Sequence, residues 1–174
     1  MATDIKVFIC YAREDMAIAK KLYKDLQQAG VKPWLDIEDL QPGQKWEVII
    51  ADVLKQSDFV LVLLSSYSLN KTGYFRKDLN NALKLMDMVP PDKSFLIPVR
   101  LEECEPKEEE LQQIQWCDLF ESYEKGLNQI LKVICLVNRV FLRSDPLVVS
   151  EEEYRDVFHL DGHSGKPVDE VVDP

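Results

Sequence analysis

Apolar positions along this chain switch between a strand-like run and a helix-like three-four spacing, and the switch repeats. Ile5 to Cys10 is a short, mostly apolar run suited to one strand. Residues 14 to 29 then place Met16, Ala19, Leu22, Tyr23 and Leu26 on one helical face, and Gly30 stands where such a helix stops. Val31 to Leu35 reads as a second short strand. Gln44 to Gln56 reads as a helix carrying Trp46, Ile49, Ile50, Val53 and Leu54, and Asp58 to Leu64 as a third strand, apolar throughout. A strand without polar alternation belongs in the middle of a parallel sheet, covered on both faces. The pattern continues with a helix over Gly73 to Met88, a strand over Phe95 to Val99, a polar segment from Glu102 to Gln113, a short strand at Trp116 to Phe120, and a last helix from Tyr123 to Asn138. Five strands alternating with helices predict a doubly wound α/β sheet, parallel throughout, with helices on both faces. No internal repeat is visible.

Composition narrows the function classes. A chain of 174 residues with 46% hydrophobic and 30% charged side chains supports one ordinary domain with a real core. The longest aliphatic-aromatic run, Phe59 to Leu64, is far short of a membrane-spanning helix, and the N-terminus has no signal-like apolar region. These features set the expectation of a cytoplasmic protein without a membrane partner. Cys10, Cys104, Cys117 and Cys135 form no CxxC pair and have no metal-ligand spacing, so reduced, mostly buried thiols and no metal are expected. The net charge is −10, and residues 145 to 174 hold nine acids against only Arg155 and Lys166. The acidic balance, with no basic and aromatic face, argues against a nucleic-acid partner, whose phosphates need neutralising. The pattern dissolves after Asn138, so the reading is a domain over 1–138 and an acidic tail or linker over 139–174. Within that tail His159 and His163 fall at helical spacing, but the intervening Asp161-Gly162 argues against a metal-binding helix.

Four segments carry a resemblance to a known family. They are Phe8-Ile9-Cys10-Tyr11-Ala12 with Asp15; Trp34-Leu35-Asp36 leading through Asp39-Leu40 to Pro42-Gly43 and Trp46; Ser57 to Ser65 around the apolar strand; and Tyr74-Phe75-Arg76-Lys77-Asp78-Leu79. In order and spacing the chain resembles a TIR (Toll/interleukin-1 receptor) domain, most like the bacterial type, over about residues 4 to 136. The resemblance implies a flavodoxin-like five-stranded parallel sheet of strand order 2-1-3-4-5. It also implies, as in many bacterial members, cleavage of NAD+ between nicotinamide and ribose, with NAD+ as substrate and no separate cofactor. Other members only assemble with further TIR domains, commonly in immune or antiphage signalling.

The resemblance places Asp78 where the family has its catalytic glutamate, one methylene shorter, and Tyr74 where the family usually has Trp. Tyr74 lies one turn before Asp78, on the same helix face. Tyr11 and Ala12, after the first strand, would border the ribose and nicotinamide, with Arg13 available to the diphosphate. Trp46 is either a staple for the helix it opens or part of the pocket rim, and Trp34 reads as core. Asp36, Glu38, Asp39, Leu40, Pro42 and Gly43 lie in the loop through which the family contacts neighbouring TIR domains. Its acids would need a basic surface, for which Lys71, Arg76 and Lys77 are candidates.

Rival readings fit less well. A phospho-accepting receiver domain needs an Asp ending the third strand, where this chain has Leu64-Ser65-Ser66. A nucleoside deoxyribosyltransferase would not explain the Asp36 to Trp46 loop. The alternative that stays open is an assembly module without catalysis. The ending at Val171-Val172-Asp173-Pro174 sets the expectation of a sensor or effector domain beyond the C-terminus.

Overall fold

A computed structural model describes residues 4–70, 73–88 and 95–142, without the side chains of Ile37 and of residues 136–142. Five strands, β1 (Lys6–Cys10), β2 (Lys32–Trp34), β3 (Phe59–Leu64), β4 (Leu96–Arg100) and β5 (Cys117–Asp118), form one sheet in the order β2-β1-β3-β4-β5. All four pairings are parallel, with Val7 opposite Phe59 and Val60 opposite Leu96. The flavodoxin-like order expected from the family resemblance is therefore the observed one. The longer helices are α1 (Met16–Gln28), α3 (Trp46–Gln56), α5 (Tyr74–Met86) and α7 (Tyr123–Leu142). Three short helices, α2 (Asp36–Asp39), α4 (Ser66–Asn70) and α6 (Glu109–Gln112), sit in the connections, too short for a periodicity argument to find.

Alternate strand residues sort into two cores. Val7, Ile9, Phe59, Leu61, Leu63, Ile97 and Val99 pack on Ala19, Leu22 and Leu26 of α1 and Ile130 and Ile134 of α7. Phe8, Cys10, Val60, Val62, Leu64 and Leu96 face the other way, onto Ile50 and Leu54 of α3 and Phe75, Leu79, Ala82 and Leu83 of α5. Every residue of β3 is buried, as its unbroken apolar run requires of a central strand. Both strand prolines sit where a missing N–H is harmless. The Lys32 N–H donates to the Ile5 carbonyl just before β1, so the nitrogen of Pro33 points to the open edge of the sheet. The Leu101 N–H donates to the Leu64 carbonyl on β3, so the nitrogen of Pro98 points to the β5 side, short of where the two-residue β5 begins to pair.

Gly30 ends α1 as expected. At φ 84° it occupies the left-handed region, its N–H reaching the Gln27 carbonyl while the Val31 N–H reaches Leu26. Two expectations change. The first turn over Arg13–Asp15 is 3-10, so α1 proper starts at Met16. The last helix runs on to Leu142, past the Asn138 at which the pattern was read as dissolving. The remainder of the acidic tail, with His159 and His163, lies outside the described residues. Cys10 and Cys117 are buried, Cys104 is half-buried and Cys135 is exposed, so the expectation of mostly buried thiols holds for two of the four.

Candidate active site at the carboxyl end of the first strand

In open α/β sheets the loops leaving the carboxyl ends of the strands surround the binding crevice. Here β1 releases Tyr11, Ala12 and Arg13, and neighbouring β2 releases Asp36. The amino-terminal turns of α3 and α5 bring Trp46, Tyr74 and Asp78. Together with Phe8, Ile9, Leu40, Ile50 and Phe75 these residues line one cavity of about 310 Å³. The structure thus brings together Tyr11, Ala12, Arg13, Trp46, Tyr74 and Asp78. From the 36–45 loop it adds Asp36 and Leu40, but not Glu38, Asp39, Pro42 or Gly43. Phe8, Ile9 and Phe75 entered the sequence reading only as carriers of the family resemblance, Leu40 only as a contact-loop residue and Ile50 only as a helix-face residue, so their place on the cavity wall had no separate sequence signal.

Aromatic rings and carboxylates dominate the polar walls. Trp46 meets Tyr74 edge to face, ring centroids 4.3 Å apart and planes at 86°, so the first residues of α3 and α5 touch across the cavity mouth. Trp46 therefore belongs to the rim as well as opening its helix, while Trp34 stacks on Phe8 at 5.3 Å as part of the core. Tyr74 is 59% exposed, leaving much of its ring open to a ligand. The Tyr11 hydroxyl donates to Oδ1 of Asp36 at 2.6 Å. Burial and this bond to a carboxylate both keep the Tyr11 phenol protonated well above its ordinary range.

Asp78 is the most perturbed carboxyl of the site. Burial comes first and the negative charge of Asp36 second, lifting it from 3.8 to about 7 against the opposing charge of Lys77. Beneath it, the Cys10 thiol is also held protonated, by burial and then by the charges of Asp78 and Asp36. Cys10 Sγ approaches the Phe75 carbonyl at 4.0 Å, linking the end of β1 to the first turn of α5. A partly desolvated carboxyl with raised proton affinity in a cleft marks a candidate functional group. Among the described residues no group of three or more His, Cys, Asp or Glu could hold a metal.

The acids and bases assigned to assembly are engaged within the chain. Glu38 pairs with Lys20 at 3.5 Å, and Asp39 accepts from the Tyr23 hydroxyl and the Leu35 N–H. Arg76 pairs with Glu108 and Lys77 with Glu47, while Lys71 lies outside the described residues. Asp15 accepts from the Ser65 hydroxyl at 2.5 Å, pinning the turn after β1 to the end of β3 across the point where the strand order reverses.

The profile of the TIR domain family matches residues 7–131. A comparison with curated protein sequences finds no match. Among solved structures, the TIR domain of the Toll-related receptor TRR-2 from the lower metazoan Hydra magnipapillata is 24% identical. That likeness has a TM-score of 0.61 over 74% of this chain and 97% of that one. The TIR domains of the activated Roq1 resistosome, which directly recognizes the pathogen effector XopQ, are 18% identical at a TM-score of 0.62, over 75% of this chain and 99% of that one. A prokaryotic SEFIR domain is 19% identical at 0.51, over the same shares. These likenesses carry the fold, and among the described residues no helix is long and apolar enough to cross a membrane. With most of the chain matched by the family profile and the five-stranded sheet in the same order, the chain belongs to the TIR domain family.

Proposed function

We propose that this TIR domain cleaves the nicotinamide-ribose bond of NAD+, releasing nicotinamide and ADP-ribose or a cyclic isomer, and that self-association raises the activity. The observation carrying this reading is the cavity itself, in which a half-buried carboxyl shares the wall with three aromatic side chains at the end of β1. The leaving nicotinamide takes the electron pair of the C1′–N bond and departs neutral, so no general acid is required. A carboxylate beside the ribose stabilises the positive charge that develops on the sugar, an interaction stronger in the transition state than in the ground state. Water, or a nitrogen of the adenine ring in cyclisation, then bonds to C1′.

Asp78 has the place for that carboxylate and must be ionised to serve. Its raised proton affinity leaves it near half-ionised at neutrality, and a cationic nicotinamide ring beside it favours the ionised form. Tyr11, Trp46 and Tyr74 supply faces for the rings, and Arg13, the basic side chain of the wall among the described residues, is suited to the diphosphate. Association with further TIR domains through the 36–45 loop would act on the same wall, because Asp36 and Leu40 belong to both. By this reading the products serve immune signalling.

The second reading, an assembly module with little or no catalysis, draws on the length of Asp78. A misplacement of about 1 Å can cost on the order of 100-fold in rate. NAD+ turnover with product separation, at several protein concentrations, decides between them for the native chain, Asp78→Ala and Asp78→Glu. Turnover that rises with protein concentration and disappears in Asp78→Ala supports the enzyme. A silent native chain that gains turnover in Asp78→Glu supports the assembly module.

A further inference from the structure

Asp36 is grouped by sequence with Glu38 and Asp39, as one acid of a contact loop. The fold separates it from them. β2 is hydrogen-bonded to β1, so the ends of the two strands release Asp36 and Tyr11 side by side, and the Tyr11 hydroxyl closes on Asp36 at 2.6 Å. Both side chains are walls of the same 310 Å³ cavity that Asp78 enters from α5. Two carboxylates sharing so small a space repel, and the charge of Asp36 opposes ionisation of the half-buried Asp78.

We propose that Asp36 is a positioning residue of this centre, the second carboxylate of a pair with Asp78: its charge decides when Asp78 ionises, and its bond to Tyr11 fixes the wall against which the sugar lies. The proposal rests on the reading of the cavity as a NAD+ site for its catalytic meaning, though not for its electrostatics. Among the described residues, the charged or titratable groups around Asp78 are Cys10, Tyr11 and Arg13 from the end of β1, Asp36 from α2, and Tyr74 and Lys77 from α5, with Lys77 itself paired to Glu47 of α3. Lys77 favours the ionised form, but it is exposed and shared with Glu47 at 3.0 Å, which damps its influence. Burial is set by the fold, leaving Asp36 as the neighbour that most opposes ionisation of Asp78. Arrival of a cationic ring beside Asp78 opposes that repulsion and favours release of the Asp78 proton to solvent.

The test needs no substrate. The full chain, with its aspartate carboxyl carbons isotopically labelled, is titrated by NMR from pH 4 to 9, with Asp78 assigned by the signal lost in Asp78→Asn. The native midpoint for Asp78 is expected near 7. In Asp36→Asn it should fall by about one pH unit or more, and in Asp36→Glu it should return toward the native value. Asp36→Ser supplies a second neutral side chain should the first variant fold poorly. The acid limb of the kcat/KM profile for NAD+ should move by the same interval, whereas a merely structural role would lower turnover at every pH and leave the limb in place. An Asp78 midpoint unmoved in the neutral variants overturns the proposal whether or not the chain turns over NAD+. Absent turnover in the native chain defeats the NAD+ reading alone and leaves the titration to judge Asp36.

Discussion

Replacing Asp78 by asparagine keeps the shape of the side chain and removes only its charge, so it measures what the site costs the fold. Above pH 7 the native domain holds a half-buried carboxylate near Asp36, whereas the unfolded chain holds the same group in water. A carboxyl lifted from 3.8 to about 7 destabilises the folded state by at most about 4 kcal/mol once fully ionised. The group keeps part of its contact with solvent, which screens the repulsion and brings the expected figure to about 1 to 2 kcal/mol. The sign follows from proton counting. Between pH 3.8 and 7 the folded state holds a proton that the unfolded state has lost, so native stability falls as pH rises and the full penalty is present above 7. Asp78→Asn should therefore match the native chain near pH 4, gain progressively through pH 5 to 7, and level off by pH 8. The gain at pH 8 should correspond to about 3 to 6 °C in melting temperature. Urea unfolding at pH 4, 6 and 8, followed by tryptophan fluorescence with equal m-values, reads the difference directly. The same variant should lose NAD+ turnover, trading activity for stability. A gain that is the same at every pH, or a loss at pH 8, would show that the Asp78 carboxylate is favourably held, and the account from burial and repulsion would fail.

Other expectations follow from single contacts. NAD+ turnover of the native chain should climb as pH rises through about 7, because the ionised Asp78 is the working form, and a profile falling over pH 6 to 8 would contradict that role. Tyr74→Ala should weaken NAD+ binding about five- to tenfold in calorimetry through loss of a stacking face, with little change in melting temperature because the ring is largely exposed. Gly126→Ala lies within a helix, where alanine ordinarily stabilises, yet its Cβ would meet the Asp118 carbonyl oxygen and Leu119 Cδ2, each at 2.6 Å. It should cost about 1 to 3 kcal/mol, and a rise in melting temperature would refute the contact. Arg100, 7% exposed, grips Asp118 through Nε and Nη2 and ties β4 to β5, so Asp118→Ala should cost about 3 kcal/mol or more by leaving a buried cation unpaired. Chemical denaturation checks it, and a cost under about 1 kcal/mol would place the pair among weak surface ones.

Much of the architecture was legible because burial leaves a local trace. The all-apolar run Phe59 to Leu64 is a central strand, and Met16 to Leu26 shows its helical face with Gly30 as its stop. The short helices α2 and α4 left no such trace, being only about a turn long, and the polar segment from Glu102 to Gln113 gave no sign of α6. Within the site, Tyr11, Tyr74 and Asp78 were singled out through the family resemblance, with the one-turn spacing of Tyr74 and Asp78 adding that they share a helix face. Asp36 was assigned to contact with other domains, although its position just beyond β2 marked it equally as a wall of the crevice.

The sequence by itself determined the order of elements, the two-faced sheet implied by its strands, and the presence of one acid and one aromatic residue a turn apart on a helix. These are properties of spacing along the chain, set by the periods of strand and helix. Only the tertiary structure decided that Asp36 shares a cavity with Asp78, that Glu38 and Asp39 turn to Lys20 and Tyr23, and that Arg76 and Lys77 are held by Glu108 and Glu47. Charge acts through distance in space and through access to water. Both are fixed when β1 and β2 pair and α3 and α5 close on one face of the sheet, bringing together groups that the chain keeps far apart.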